Sequence, residues 1–433
     1  MKNLIFIFFV GLFPAQQSWN LQQCLDYAAA NHPLVKQAMV NIKKNDHQIA
    51  ASKGMLLPSV EAGVDHSYSF GSSINQSSNQ REVLNTQYDQ LKAQANIELF
   101  NWRNYLNISL SKLNKETSSY KLKRAQNEVK LNVIQTFFVY QNSKSWLDVL
   151  ETQISGMEEQ IKRTEKEVEI GSRSKSDIYD IKANLGTLQE QWVSAKNQRD
   201  LAKINLLNAL AIPQDSIDFV TNTTHEEALA EDDFDQPDFT KKLLENNPAY
   251  QTVLAEIKAQ EKTVDLAASA YLPTLNGSYS WSTFYNKSLN NNAATISFSD
   301  QFSQNKNQSV SFGLNIPIFN KFQVKNNVEV AKLNVINSTY DKELIVNNLT
   351  QSINSIKAQY INAQEKYTLL EANFENQKLS FLKSEEKYKE GLMDAYTFFI
   401  VRNNWLQANY NLINSKNNVI QQTELLKVLK TGL

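Results

Sequence analysis

The sequence predicts a mixed α and β fold in which long helices join four strands of the membrane-barrel type. The first observation is that 433 residues contain only 11 glycines and 8 prolines, so turn formers are scarce and regular elements must be long. The second is that four segments alternate apolar and polar residues with period two. The third is that the long stretches between them carry apolar residues at coiled-coil spacing.

Residues 1–15 are predicted to be an export signal. Lys2 supplies a positive start, residues 4–13 form an apolar run, and Pro14 and Ala15 precede the expected cleavage point. The run is too short to span a bilayer as a helix. The single cysteine, Cys24, follows Leu-Gln-Gln rather than the small residues of a lipoprotein signal, so we interpret it as a small residue on a helix face.

The rest of the chain repeats itself. Pro33 recurs as Pro248 and Pro58 recurs as Pro273, and the interval between the two copies is the same in both cases. An interval of roughly 220 residues is too long for a solenoid unit and indicates an internal duplication. We predict a first structural repeat at 16–212, an acidic linker at 213–238 and a second repeat at 239–433. The linker lacks the loop glycine and the regular ligand spacing of an EF-hand, so a solvated linker is predicted rather than a calcium site.

Each repeat contains two predicted strands. Their positions are about 59–71, 86–100, 273–285 and 308–319. Strands of this length with aromatic residues at their ends favour a membrane barrel over a soluble hairpin. The predicted membrane-interface aromatics are Tyr68, Phe70, Trp281 and Tyr285 at one end, and Phe100, Trp102, Phe319 and Phe322 at the other.

The long helices are predicted from about 104 to 170 and from about 324 to 390, and each would extend about 100 Å at 1.5 Å per residue. Each stops at a glycine, Gly171 or Gly391, which can adopt the left-handed conformation that ends a helix. A returning helix of about 35 residues follows each turn and begins at polar residues that can cap it. Apolar residues every seven positions predict that these helices pack as coiled coils.

Four strands cannot close a barrel, because the smallest membrane barrels have eight. The chain must therefore oligomerise, with eight strands from two copies or twelve from three. Helices that leave the strands on the same side would then form a long tube continuous with a pore.

These features resemble the TolC-like outer membrane factor family. The motifs that carry the resemblance are the helix-opening residues Leu21 to Ala28 with Asn31, His32 and Pro33, the Leu-Pro pairs at 57–58 and 272–273, and the turns at Gly171 and Gly391. The resemblance covers nearly the whole chain after the signal. It implies a homotrimer in the outer membrane lipid, with twelve strands in a β-barrel continuous with a long periplasmic α-helical coiled-coil barrel. It also implies the exit duct of a tripartite efflux pump or a type I secretion system, joined to an inner membrane transporter by a periplasmic adaptor (membrane fusion) protein.

The resemblance also implies site residues near the turns. The predicted adaptor-docking residues are Gly171, Ser174, Ser176, Gly391 and Asp394, and the predicted pore-constriction residues are Asp177, Tyr388, Met393, Thr397 and Ile400. The family has a carboxylate six residues after each turn glycine, which Asp177 retains and Thr397 does not. Tyr388 matches a latch tyrosine, but it also continues a heptad stripe of core residues, and both interpretations stay open. Met393 stands where a basic latch partner can occur, which argues against a salt-bridged latch.

Several function classes are excluded. Lys and Arg total 44 against 45 Asp and Glu, so the basic footprint of a nucleic-acid-binding protein is missing. One cysteine and four scattered histidines match no metal motif, and the chain has no phosphate-binding glycine loop or nucleophile elbow. We therefore expect no catalytic residue and no cofactor. An exported coiled-coil scaffold without transport activity remains the alternative, although it leaves the four strands unexplained, and the substrate cannot be identified.

Overall fold

The computed structural model describes residues 18–74, 79–83, 85–213, 217–220, 239–290 and 296–431. The predicted export signal and most of the predicted linker lie outside these residues. The helices are α1 (Leu21–Asn31), α2 (Pro33–Gly54), α3 (Trp102–Glu169), α4 (Lys175–Leu210), α5 (Phe239–Asn246), α6 (Pro248–Ala268), α7 (Phe298–Gln304), α8 (Gln323–Lys389) and α9 (Ala395–Thr431). The strands are β1 (Ser18–Trp19), β2 (Ser59–Ser69), β3 (Ser72–Ile74), β4 (Arg81–Val83), β5 (Thr86–Phe100), β6 (Asp218–Phe219), β7 (Thr274–Ser288) and β8 (Asn307–Asn315).

The long helices agree closely with the sequence prediction. α3 has 68 residues and α8 has 67, and the helices that return after them have 36 and 37. In α8 the buried side chains recur every seven residues, as at Ile353, Tyr360 and Tyr388. The heptad pattern therefore marks a real packing stripe.

Four antiparallel strands form the main sheet, in the order β2-β5-β7-β8. The register places Val60 beside Ala95, Ala95 beside Tyr279 and Tyr279 beside Val310. Because side chains alternate between faces, this row belongs to an apolar face, and the neighbouring row of Ser and Asn residues belongs to a polar face. No other described strand pairs with the outside edge of β2 or of β8.

Two strand ends differ from the prediction. β7 continues to Ser288, so Trp281 lies at the centre of that strand and not at its end. β8 stops at Asn315, because the following segment contains Pro317, which has no N–H group to donate to a ladder. Phe319 and Phe322 consequently lie in the turn that precedes α8 and not at a strand end.

The chain divides into two compact units, each of which takes segments from both sequence halves. One comprises the described parts of Met1–Val40, Ser119–Thr252 and Lys342–Leu433, and the other comprises Asn41–Ser118 and Val253–Asp341. The second unit contains the main sheet. This division differs from the division into repeats, because corresponding elements of the two halves fold together.

The largest core cluster of the first unit joins α1, α3, α4 and α9. It includes Cys24, Phe137 and Leu206, all nearly inaccessible to solvent. Burial raises the pKa of the Cys24 thiol to about 12, so the thiol stays neutral at physiological pH. Cys24 is thus the small residue on a helix face that the sequence predicts, and that face is buried. None of the described helices combines the length and the apolar composition needed to cross a bilayer.

Candidate functional site at the helix turns

The two turns that end α3 and α8 share one geometry. Gly171 has φ +79° and Gly391 has φ +73°, which is the left-handed region that glycine tolerates best. After the first turn, the hydroxyl of Ser174 caps α4 by accepting a hydrogen bond from the backbone N–H of Ser176 at 3.2 Å. After the second, Asp394 accepts a hydrogen bond from the backbone N–H of Thr397 at 2.9 Å. A left-handed glycine and a side-chain capping hydrogen bond therefore define the chain reversal at both turns.

Arg173 joins the first turn to the second. Its guanidinium lies 4.2 Å from the ring centroid of Tyr388, and its Nη2 donates to the Tyr388 carbonyl oxygen at 3.0 Å. Its Nε lies 2.9 Å from the Glu167 carboxylate, and Nη1 lies 3.8 Å from that of Asp177. The Arg173 side chain is only 15% exposed, so these interactions are less screened than those of a surface pair.

Tyr388 is buried between the turns, with 4% of its surface exposed. Its ring stacks on Phe398 with centroids 4.6 Å apart, and its hydroxyl accepts a hydrogen bond from Gln160 Nε2 at 3.2 Å. Farther from the turns, Phe381 of α8 stacks on Trp405 of α9, with ring centroids 4.5 Å apart. The heptad interpretation of Tyr388 thus describes its packing, and the same residue also contacts the first turn.

The start of α9 presents two different faces. Phe398 and Phe399 are buried, whereas Thr397 and Ile400 are exposed. The Thr397 hydroxyl donates to the Asp394 carboxylate at 2.7 Å. Hydrogen bonds from the Thr397 backbone N–H and hydroxyl hold the pKa of Asp394 below its ordinary value. Asp394 therefore stays charged and caps the helix at neutral pH.

From the sequence, a basic partner of Tyr388 was expected only at the position that Met393 occupies, and Arg173 was not predicted. Met393 packs against the apolar cluster around Tyr388. A signal was nevertheless present, because Arg173 stands two residues after Gly171 just as Met393 stands two after Gly391. The basic residue occurs in the first repeat instead of the second. Gln160 and Glu167 were missed because nothing local distinguishes them from ordinary polar residues of a long helix.

The main sheet carries a second candidate surface. Its apolar face exposes hydrophobic side chains on the edge strands, including Val60 and Val64 on β2 and Val310 and Phe312 on β8. Of the predicted interface aromatics, Tyr68, Phe70, Phe100, Trp102, Phe319 and Phe322 are exposed, while Trp281 and Tyr285 are half-buried. Among the described residues no group of His, Cys, Asp and Glu side chains could hold a metal ion.

Comparison with known proteins decides the family. The profile of the outer membrane efflux protein family matches residues 24–211 and 240–429, which is most of the chain in two copies. The chain belongs to this family. It is 23% identical over 395 residues to outer membrane protein TolC of Escherichia coli strain K12, covering 84% of this chain and 75% of TolC.

Solved structures agree on the fold. The Campylobacter jejuni CmeC outer membrane channel matches 95% of this chain and 86% of its own, at 20% identity and TM-score 0.73. The Neisseria gonorrhoeae MtrE outer membrane channel, solved in its open state, matches 95% and 89%, at 17% identity and TM-score 0.72. The chain is therefore an efflux channel of the outer membrane, with barrel strands in the membrane and its helical part in the periplasm.

Proposed function

We propose that the protein is the exit duct of a tripartite efflux pump or of a type I secretion system and works as a homotrimer. In this assembly an energised inner membrane transporter delivers the substrate. A periplasmic adaptor joins the transporter to the turns at Gly171 and Gly391, and the substrate leaves through the barrel.

The observation that carries this proposal is the main sheet, which has one apolar face and two unpaired edges among the described strands. In lipid each unsatisfied backbone group costs several kcal/mol, so the edges of β2 and β8 must pair with other chains. Three chains supply twelve strands, which is enough to enclose a lumen, whereas two chains supply eight strands whose side chains fill the interior. The polar face, with its Ser, Asn and Gln residues, then lines the pore.

The turns supply the adaptor-docking surface in this proposal. Gly171, Ser174, Ser176, Gly391 and Asp394 are exposed, so an adaptor can reach them. Thr397 and Ile400 form the constriction, since both are exposed one turn beyond the second reversal. The contacts of Arg173 with Tyr388 hold the two turns of a protomer together while this entrance is closed.

The test combines assembly with export in the native host. Outer membranes should contain a complex that migrates as a trimer before heating and as a monomer afterwards. A photo-crosslinking residue at Ser176 should capture an envelope protein, and this product should disappear when the adaptor gene is deleted. The same residue at exposed Gln189 on α4 should capture no such protein. Deletion of the gene should raise intracellular accumulation of at least one exported compound or polypeptide. A non-transporting scaffold would form the oligomer and leave accumulation unchanged.

A further inference from the structure

The outer end of β7 lacks a strand neighbour on one side. β5 pairs with β7 as far as Ser288, whereas β8 begins at Asn307, opposite Ser282. Residues 283–288 of β7 therefore have no partner among the described strands on the β8 side. The short helix α7 lies against this length of strand.

Side chains of α7 and of its C-cap occupy the hydrogen-bonding positions of the missing strand. Gln301 accepts a hydrogen bond from the Asn286 N–H at 3.0 Å and donates to the Asn286 carbonyl oxygen at 3.1 Å. Asn305 donates to the Phe284 carbonyl oxygen at 2.9 Å. Alternate residues of a strand direct both backbone groups to the same side, so Phe284 and Asn286 are the residues that a longer β8 would pair. The helix thus satisfies this edge and prevents further strand pairing there.

The same helix leaves apolar side chains uncovered. Phe298 packs against Tyr285 and Phe302, with ring centroids 5.1 and 4.4 Å apart. Ile296 and Phe298 nevertheless remain 56% and 53% exposed. We call Ile296, Phe298 and Phe302 the rim patch. It lies at the outer end of the apolar sheet face, to which Tyr285 belongs.

A second apolar patch lies at the other free edge. Tyr68 and Phe70, at the outer end of β2, are 52% and 73% exposed, and their rings stack at 6.3 Å. Tyr68 belongs to the same apolar face as Val60 and Val64, and therefore as Tyr285. Two uncharged aromatic patches thus flank one sheet at the same end and on the same face.

Ring closure brings these two patches to one level. Strands in a closed barrel are tilted by about 40° and spaced by about 4.8 Å, so four strands displace the next copy by about 5 residues. Within one chain, Asn307 pairs across the sheet with Ser282, Ser282 pairs with Lys92, and Lys92 pairs with Gly63. A displacement in one direction brings residues 67–69 of the neighbouring copy beside Asn307. A displacement in the other direction would bring residues before Ser59 there, and these are not strand, so residues 67–69 are the ones that pair. Phe70 of that neighbour then lies beside α7.

We propose that the rim patch of one protomer docks onto Tyr68 and Phe70 of the next copy, so that α7 completes the subunit contact beyond the end of β8. This proposal rests on the homotrimer proposed above. Such a contact joins two different surfaces of identical chains, and a threefold rotation closes it into a ring. A second copy fits better than lipid because the complementary patch stands on the edge that closure brings opposite.

The test is cross-linking in isolated outer membranes. Phe298→Cys combined with Phe70→Cys, in a Cys24→Ala background, should give covalent dimers and trimers with a short bifunctional maleimide. The matched control combines Phe298→Cys with Ile318→Cys, because Ile318 is 94% exposed but lies beyond the opposite end of β8. The control pair and both single-cysteine variants should stay monomeric on a denaturing gel.

The outcomes separate this contact from the trimer itself. A heat-dissociable trimer without the Phe298–Phe70 cross-link would overturn the contact, leave the proposed function standing and assign the rim patch to lipid. Loss of the trimer in the parent background would overturn both. As a second measurement, Ile296→Ser with Phe298→Ser should lower the temperature at which the trimer dissociates in detergent, and Ile318→Ser should not. An unchanged temperature would contradict the docking.

Discussion

At the scale of single residues, Arg173 makes the connection between the turns that the sequence did not predict. It engages both the ring and the carbonyl of Tyr388 and two carboxylates of its own turn. A cation near an aromatic face and a charge-assisted hydrogen bond are together worth about 2 kcal/mol at a partly buried site. That energy changes an equilibrium by more than tenfold.

Replacement of Arg173 should therefore loosen the entrance that we propose is closed by these contacts. We expect Arg173→Gln to raise the frequency of opening events in single-channel recordings about tenfold, because glutamine retains hydrogen bonding but not the charge. Arg199→Gln is the control, since Arg199 forms its ion pair with the adjacent Asp200. Equal opening frequencies in the Arg173 and Arg199 variants would show that Arg173 does not restrain the entrance.

Asp394 predicts a pH dependence with a definite sign. The Thr397 hydrogen bonds lower its pKa in the folded protein, so the charged cap stabilises α9 fully above the unfolded pKa of about 3.8. This contribution is lost as the pH falls from there through the lower folded pKa. Asp394→Asn should thus reduce the melting temperature of the helical signal at pH 6 and match wild type near pH 2. A difference in melting temperature that is the same at pH 6 and near pH 2 would contradict this role of Asp394.

At the scale of elements, regular structure was predictable and side-chain partners were not. Gly171 and Gly391 mark the ends of α3 and α8 because only a residue tolerant of positive φ suits those turns. The β8 end was misplaced because its alternation continues past Pro317, where the ladder cannot. The cluster around Arg173 was missed because its members meet through a packing arrangement that joins residues more than 200 positions apart.

The turn glycines should be required for coupling and not for barrel assembly. Gly171→Leu or Gly391→Leu places a side chain at positive φ, which costs on the order of 1 kcal/mol and alters the proposed docking surface. We expect reduced export with normal trimer in the outer membrane. Gly186→Leu is a matched control, since an added Cβ there meets nothing within 4 Å and φ is helical. Loss of the trimer in the turn variants would contradict this expectation.

Gly156 tests the packing of α3 against α9. A Cβ at Gly156 would lie 2.5 Å from Arg402 Nη2, which donates to the Gln153 carbonyl oxygen at 3.3 Å. Glycine to alanine within a helix normally stabilises by about 0.5–1 kcal/mol, as we expect for Gly186→Ala. Gly156→Ala should instead destabilise by about 1 kcal/mol, because the guanidinium must move.

The sign should reverse when the arginine is removed. In an Arg402→Met background, Gly156→Ala should regain the ordinary stabilisation of about 0.5–1 kcal/mol, measured by chemical unfolding. Additive effects of the two substitutions would show that Arg402 does not determine the need for glycine.

At the scale of the whole molecule, the proposed constriction lacks the carboxylate ring that the resemblance would suggest at Thr397. Closure by hydroxyl and aliphatic groups depends on packing and dewetting more than on fixed charge. Wild-type channels should therefore show weak cation selectivity and little block by divalent cations. Thr397→Asp should introduce such block in single-channel recordings, and Tyr396→Asp, at the adjacent exposed position, should introduce less. Strong block in the wild type, unchanged by Thr397→Asp, would place the constriction elsewhere.

The pairing of β5 with β7 has a consequence for biogenesis. Thr86 pairs with Ser288, about 200 residues away, whereas the helices depend on local contacts. Helices should form soon after export, while strand pairing waits for the second half of the chain to emerge. Until the proposed trimer assembles, the edges of β2 and β8 remain open templates for incorrect pairing. The newly exported chain should therefore depend on a periplasmic holding chaperone, and export faster than assembly should yield aggregates that are rich in strand.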